Sequence, residues 1–172
     1  MITDRNGNLI KSYHKKNLYK DDKKWCTPGD NFEYIDIETN CGKTARLALG
    51  ICLDYYYSSQ VFKFNYEYAK SFCNKNINFF IFPTNWADSN HEDNSDENIL
   101  QSINDNWLSP LSPIINEAKE RNIYLLAADR TGIERNVYLL GCSCIVKLGS
   151  THSLLCNLDK NTNGTIVEEL DF

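Results

Sequence analysis

Cys52 stands in Gly50-Ile51-Cys52-Leu53-Asp54, just after the apolar run Ala45-Arg46-Leu47-Ala48-Leu49. Such a run reads as a buried strand, and the carboxyl ends of parallel strands are where ligands bind, because backbone groups and helix amino termini converge there. A thiol in that position can be activated by a helix dipole or a nearby cation. The plainer reading is a small core residue, a frequent use of cysteine. Lys15 and His14 lie in Ser12-Tyr13-His14-Lys15-Lys16-Asn17-Leu18-Tyr19. A lysine in a basic stretch is ordinarily a solvated charge, whereas His14 could form a Cys/His dyad with Cys52. If this segment is a strand, the two side chains face opposite sides and only one can share a site with Cys52. His91 and His152 have no such link. Cys142-Ser143-Cys144 is one residue too tight for the usual Cys-x-x-Cys chelate, so no metal is expected.

These residues need a frame to hold them. Ile2-Thr3-Asp4-Arg5-Asn6-Gly7-Asn8-Leu9-Ile10 carries the Asn-Gly signal of a hairpin with a very short first arm. Phe32-Glu33-Tyr34-Ile35-Asp36-Ile37 alternates at period 2, as a half-buried strand does. After Cys52, Val61, Phe64, Tyr68, Phe72 and Cys73 recur at helical spacing, and Asn78-Phe79-Phe80-Ile81-Phe82 is a second buried strand. Strand, helix and strand in that order form a βαβ unit, so the strands are expected to be parallel. Positions 88–106, acidic and rich in Asn and Ser, read as a surface loop or insertion. Trp107 to Arg121 reads as a helix with two prolines near its start. Ile123-Tyr124-Leu125-Leu126-Ala127-Ala128 is a third buried strand, and an antiparallel tail follows from Asn136.

The whole chain, 172 residues, is one domain's worth. A net charge of −5 offers no broad positive field to a phosphate backbone, so nucleic acid is not an expected partner. No apolar run approaches the roughly 20 residues of a spanning helix, so no membrane is expected either. The amino terminus shows no secretory pattern, and the seven cysteines are read as reduced thiols in a cytoplasmic or nuclear protein.

Five motifs in register carry a resemblance. Tyr13-His14-Lys15-x-x-Leu18-Tyr19, Gly50-Ile51-Cys52-Leu53-Asp54, Phe82-Pro83-Thr84-Asn85-Trp86, Ala128-Asp129-Arg130-Thr131-Gly132 and Gly141-Cys142-Ser143-Cys144-Ile145 together resemble the nitrilase (carbon–nitrogen hydrolase) superfamily. Lys15 to Trp25 and Gly50 to Ser89 are most similar to its protein N-terminal amidases, which deamidate amino-terminal Asn and Gln.

The resemblance implies an α/β fold, the nitrilase-like α-β-β-α sandwich, and a Glu-Lys-Cys triad without a cofactor. Cys52 would be the nucleophile, Lys15 the cation that stabilises the oxyanion and the thiolate, and the backbone N–H of Leu53 a second oxyanion donor. The substrate would be a peptide or protein N-terminus. Asp54 is the carboxylate nearest in sequence to pair with a substrate α-ammonium; its structural alternative is an ion pair with Arg130, since a buried carboxylate needs a fixed partner. In the family the general-base Glu precedes the hairpin with which this sequence opens, so no residue here is assigned to it, and Glu33 and Glu38 lie in a different strand. Residues 1–172 are therefore expected to be a partial domain, incomplete at the N-terminus. His14 stands where an arginine is usual, and Asp129 where an asparagine is usual. A non-catalytic remnant that binds a peptide or partner is the alternative function. Strand faces near Leu47, Leu49 and Ile81 are expected to be uncovered, favouring self-association or a complementing N-terminal segment.

Overall fold

The computed structural model of the chain describes residues 1–55, 66–88, 91–92, 95–115, 118 and 121–172. The opening hairpin pairs β1 (Ile2–Thr3) with β2 (Leu9–Lys11) through a turn containing Gly7 at φ +84°. Next come β3 (Glu33–Glu38), β4 (Thr44–Leu49), β5 (Phe79–Thr84) and β6 (Ile123–Asp129). The hairpin of β7 (Thr131–Glu134) and β8 (Val137–Leu140) turns at Arg135 and Asn136, both at positive φ, and β9 (Cys144–Leu148) and β10 (Ser153–Asn157) close the series. Six strands form one sheet in the order β10-β9-β6-β5-β4-β3.

Within that sheet β4, β5 and β6 run parallel, as the βαβ pattern leads one to expect, and the other pairings are antiparallel. The carboxyl ends of the three parallel strands therefore share one edge. Cys52 follows β4, Trp86 follows β5, and Asp129 ends β6.

Strand side chains alternate between faces. Ala48, Phe80, Phe82, Leu125, Ala127 and Val146 point into the core, beneath α1 (Glu67–Phe72), α2 (Asp96–Ile103) and α3 (Ser112–Ile115). Burial of these apolar and aromatic side chains is what holds the helices on the sheet. Of the helical spacing noted after Cys52, Val61 and Phe64 lie outside the described residues, while Tyr68 and Phe72 are buried on α1.

The opposite face is only partly covered. Leu47 and Ile81 are half-buried rather than uncovered, and Leu49 is buried. The C-terminal segment crosses part of this face: the Phe172 ring meets Phe79 edge-on, and the Asp171 carbonyl accepts from the Tyr124 hydroxyl and the Asn122 amide. The described residues thus build a sheet with helices on one side, the α-β half of the expected sandwich.

Two expectations are corrected. Positions 88–106 are not all loop, because α2 occupies Asp96–Ile103, capped by the Ser95 side chain accepting from Asn98 N–H, with Ile99 and Ile103 buried. The described part of the helix expected from Trp107 to Arg121 is instead a succession of short helical turns, and positions 116, 117, 119 and 120 lie outside the described residues. A π-turn over Asn104–Leu108 leads into a 3-10 turn over Ser109–Leu111 and then α3. Pro110 and Pro113 lack the N–H groups a continuous helix would need. Among the described residues no helix is long and apolar enough to cross a membrane.

Candidate active site

The chain leaves β4 through Gly50, whose N–H reaches the Ile81 carbonyl at 3.2 Å. A Cβ at Gly50 would come within 2.7 Å of the Tyr68 ring, so only glycine fits there. Cys52 then adopts φ +47° and opens the 3-10 turn Cys52–Tyr55. Positive φ is uncommon for a residue with a Cβ, and such backbone persists only where its surroundings enforce it. The enforcement is visible: Tyr55 at the end of the turn stacks on Phe82 at 3.6 Å, and Asp54 is only 1% exposed. The first bond of the turn runs from Asp54 N–H to the Ile51 carbonyl at 3.0 Å. The N–H groups of Cys52 and Leu53 precede it and have no acceptor within the turn.

Asp54 joins the two parts of the site. Its Oδ1 accepts from the backbone N–H of Lys16 at 3.0 Å and of Asn17 at 2.8 Å. Its Oδ2 accepts from Ile51 N–H at 2.9 Å and from the Tyr13 hydroxyl at 2.8 Å. Burial pushes the Asp54 carboxyl above its usual range, and these donors, with Lys15 nearby, pull it back only in part. The Tyr13 hydroxyl is likewise driven up by burial and by the Asp54 charge. The segment bearing Lys15 is in this way tied by hydrogen bonds to the turn bearing Cys52.

This geometry corrects the reading of Asp54. Its four hydrogen bonds use the acceptor sites of a carboxylate, leaving none for a substrate ammonium. Nor does it pair with Arg130, which binds Glu134 across its own hairpin at 2.7 Å. Lys15 is not on a strand, and its ammonium lies 2.6 Å from Asp22 Oδ2. A cavity of about 560 Å³ is lined by Tyr13, His14, Lys15, Leu18, Asp22, Trp25, Cys26, Thr27 and Ile51, the residue before Cys52. His14 reaches this cavity, but among the described residues no bond ties it to the Cys52 turn.

Asp22 is the site residue that sequence reasoning missed. It sits seven positions beyond Lys15 at the start of the 3-10 turn Asp22–Lys24, and the irregular stretch between them has no periodicity that brings the two together. Burial acts to raise its carboxyl, but the Lys15 and Tyr19 hydrogen bonds outweigh this and hold it below its usual range. Neither Glu considered from sequence joins Lys15: Glu33 pairs with Lys11 at 2.6 Å, and Glu38 is exposed at the end of β3. At the ends of β5 and β6, Asp129 Oδ1 accepts from Trp86 N–H and Arg130 N–H, each at 2.9 Å, while its buried Oδ2 has no hydrogen-bond partner among the described residues. Cys142 and Cys144 are buried, and burial drives both thiols up to about 12. Among the described residues no three His, Cys, Asp or Glu side chains are placed to hold a metal ion.

Solved structures share this arrangement of strands. The amidase of Nesterenkonia sp. AN1, from the nitrilase superfamily, superposes with a TM-score of 0.63 at 21% identity, over 92% of this chain and 51% of that one. The chain has the nitrilase fold. A crystal structure of an N-terminal amidase with an Asn-Glu-Ala peptide gives a TM-score of 0.73 at 15% identity, over 92% of this chain and 70% of that one. In sequence, the chain is similar to a protein N-terminal amidase of Schizosaccharomyces pombe, 27% identical over 95% of this chain. It spans 60% of that relative's length. No protein-family model matches it.

Proposed function

We propose that this nitrilase-fold chain carries the cysteine and lysine of a thiol amidohydrolase acting on the side-chain amide of amino-terminal Asn or Gln in proteins, a cytoplasmic step of the N-degron pathway. The observation that carries this reading is the Asp54 carboxylate, which bonds the backbone of the Lys15 segment at Lys16 and Asn17 and that of the Cys52 turn at Ile51. In the reaction the Cys52 thiolate attacks the amide carbon. The oxyanion that forms is stabilised by the Lys15 ammonium and the Leu53 N–H. The C–N bond breaks and the nitrogen leaves as ammonia after taking a proton. Water then hydrolyses the thioester, giving the acid and restoring the thiol.

The test is ammonia release from Asn-Glu-Ala by the full chain, with Cys52→Ala and Lys15→Met as controls. Turnover lost in both variants supports the reading, and turnover that survives Cys52→Ala refutes it. A second reading, a peptide-binding module without turnover, draws support from two described glutamates that are already ion-paired, Glu33 with Lys11 and Glu67 with Lys16. General acid–base catalysis contributes roughly 10²- to 10⁴-fold, so lack of a base predicts binding with slow or no ammonia release. Self-association, or completion by an N-terminal segment covering the sheet face near Leu47 and Ile81, fits either reading and is measured by sedimentation.

A further inference from the structure

We propose that the β7–β8 hairpin is a self-pairing surface, on which β7 of one chain adds antiparallel to β7 of a second copy about a two-fold axis at Gly132. The hairpin forms a two-stranded sheet of its own beside the six-stranded one. Its strands differ in what their outer edges meet. Beyond β8, Leu140 N–H donates to the Trp86 carbonyl and Asp88 N–H to the Tyr138 carbonyl, each at 2.8 Å, with a bridge between Ala87 and Leu139. That edge is taken. Along β7 the register runs without a break from Thr131 opposite Leu140 to Glu134 opposite Val137, although Gly132 has φ +97°. Gly141 N–H donates to the Arg130 carbonyl at 3.1 Å, and bonded and non-bonded positions alternate along an antiparallel pair. The N–H and C=O groups of Thr131 and Ile133 therefore point away from β8, and among the described residues no strand or loop pairs with them.

Other edges of the molecule are blunted. β3 carries Glu33, Asp36 and Glu38, which would face like charges in a two-fold pair, and the register of β10 shifts between Leu154 and Cys156. β7 is instead complementary to itself. A two-fold axis through Gly132 sets Thr131 opposite Ile133 of the second copy, so the outward N–H of each meets the outward C=O of the other. It also sets Arg130 opposite Glu134 of the second copy, and the reverse. Within one chain these two side chains bond at 2.7 Å while 59% and 47% exposed, and the guanidinium keeps donors for a second carboxylate. Charges of opposite sign thus alternate around the axis. On the other face of β7, Ile133 is 63% exposed, and its cross-strand partner Tyr138, stacked on His91, is 39% exposed. Pairing covers part of this apolar surface. At the axis Gly132 brings no side chain, and even a Cβ there would meet nothing within 4 Å. With β8 already engaged, each hairpin has one edge to give, so pairing closes a dimer and does not propagate.

The contact is small, so the dimer should be weak, populated at roughly 100 µM and dissociated at about 1 µM in sedimentation velocity of the full chain. Two single charge reversals, Arg130→Glu and Glu134→Arg, test it. Alone, each sets like charges across the axis, and its dissociation constant should rise at least about tenfold. Mixed in equal amounts, the two variants should recover dimer to within about threefold of wild type, because each reversed charge then faces its opposite. The pair within each chain stays like-charged in both variants, so mixing can restore only a contact between copies. Ile133→Lys, which leaves both of these charges in place, should weaken the dimer by a similar factor, since a lysine blunts a strand edge. A wild type that stays monomeric at roughly 100 µM overturns the proposal. So does a dimer that persists unchanged in any of the three variants, which would place the contact elsewhere, or a mixture no more dimeric than its components. Ammonia release plays no part in the measurement, so the amidohydrolase reading stands or falls separately.

Discussion

Asp129→Asn is expected to stabilise the protein, and to do so only above mildly acidic pH. Asp129 ends β6 with one carboxylate oxygen bonded to two backbone N–H groups and the other buried with no hydrogen-bond partner among the described residues. Burial is the largest influence on it and raises its carboxyl from 3.8 to about 7, against the pull of the backbone donors and Arg130. The folded chain therefore holds a proton that the unfolded chain releases. The sign follows from linkage: this group's favourable contribution is complete below about pH 3.8, declines as pH rises, and is gone above about pH 7. The gap is roughly 3 units at about 1.36 kcal/mol each, a ceiling of about 4 kcal/mol. Relaxation and water access in the folded protein reduce this to roughly 2–4 kcal/mol. Asparagine has the same shape, keeps an oxygen for both N–H groups and carries no charge. At pH 8 the variant should exceed wild type by that amount in urea unfolding, or by roughly 5–15 °C in Tm for a chain of this size. At pH 4.5 the difference should shrink to about 1 kcal/mol or less. Trp86 and Trp107 provide the fluorescence signal. A variant no more stable than wild type at pH 8, or one with the same advantage at both pH values, would refute the argument that a buried negative charge is the cause.

Asp54→Ala should destabilise the chain by about 3 kcal/mol or more, because three backbone N–H groups and the Tyr13 hydroxyl lose their acceptor. Hydrogen exchange should localise the loss to the amides of Lys16, Asn17 and Ile51, and uniform loss of protection would count against the tie. The Lys160–Asp88 ion pair, 2.8 Å long with side chains 2% and 6% exposed, links the C-terminal segment to the end of β5. Lys160→Met should cost about 3–5 kcal/mol in urea unfolding, and Lys160→Met with Asp88→Leu clearly less, because the single variant removes one member of a buried ion pair and the double variant removes both.

The strands that carry the site were legible because they are short, largely apolar runs, as in Ala45 to Leu49, broken only by Arg46, Phe79 to Phe82 and Ile123 to Ala128. The motifs around Lys15 and Cys52 led to the fold found in the solved amidases. Other features were hidden for identifiable reasons. The acidic residues near Asp96 and Glu97 masked the spacing of Ile99, Ile103 and Trp107, although Ser95 ahead of them is a usable capping signal. Asp54 was expected to seek a cation, but its partners are backbone amides 37 and 38 residues away, and every residue type supplies such donors. Arg130 found a partner four positions along its own hairpin, Glu134. Asp22 meets Lys15 through an irregular loop, which no period encodes.

The Asp54 tie also orders events in time. The hydrogen bonds that hold the Lys15 segment against the Cys52 turn span 37 to 41 residues, and the β3–β4 pairing lies within that span. Closing so long a loop costs chain entropy before any of these bonds forms, whereas an adjacent-strand hairpin closes a shorter one. The Lys15 segment and the Cys52 turn are thus expected to meet after the β3–β4 hairpin has shortened the distance left to close. In a chain still emerging from the ribosome, the Lys15 segment would wait until Asp54 had been synthesised and β3–β4 had folded. Loop length sets that order, and the Asp54 carboxylate holds the two segments together once they have met.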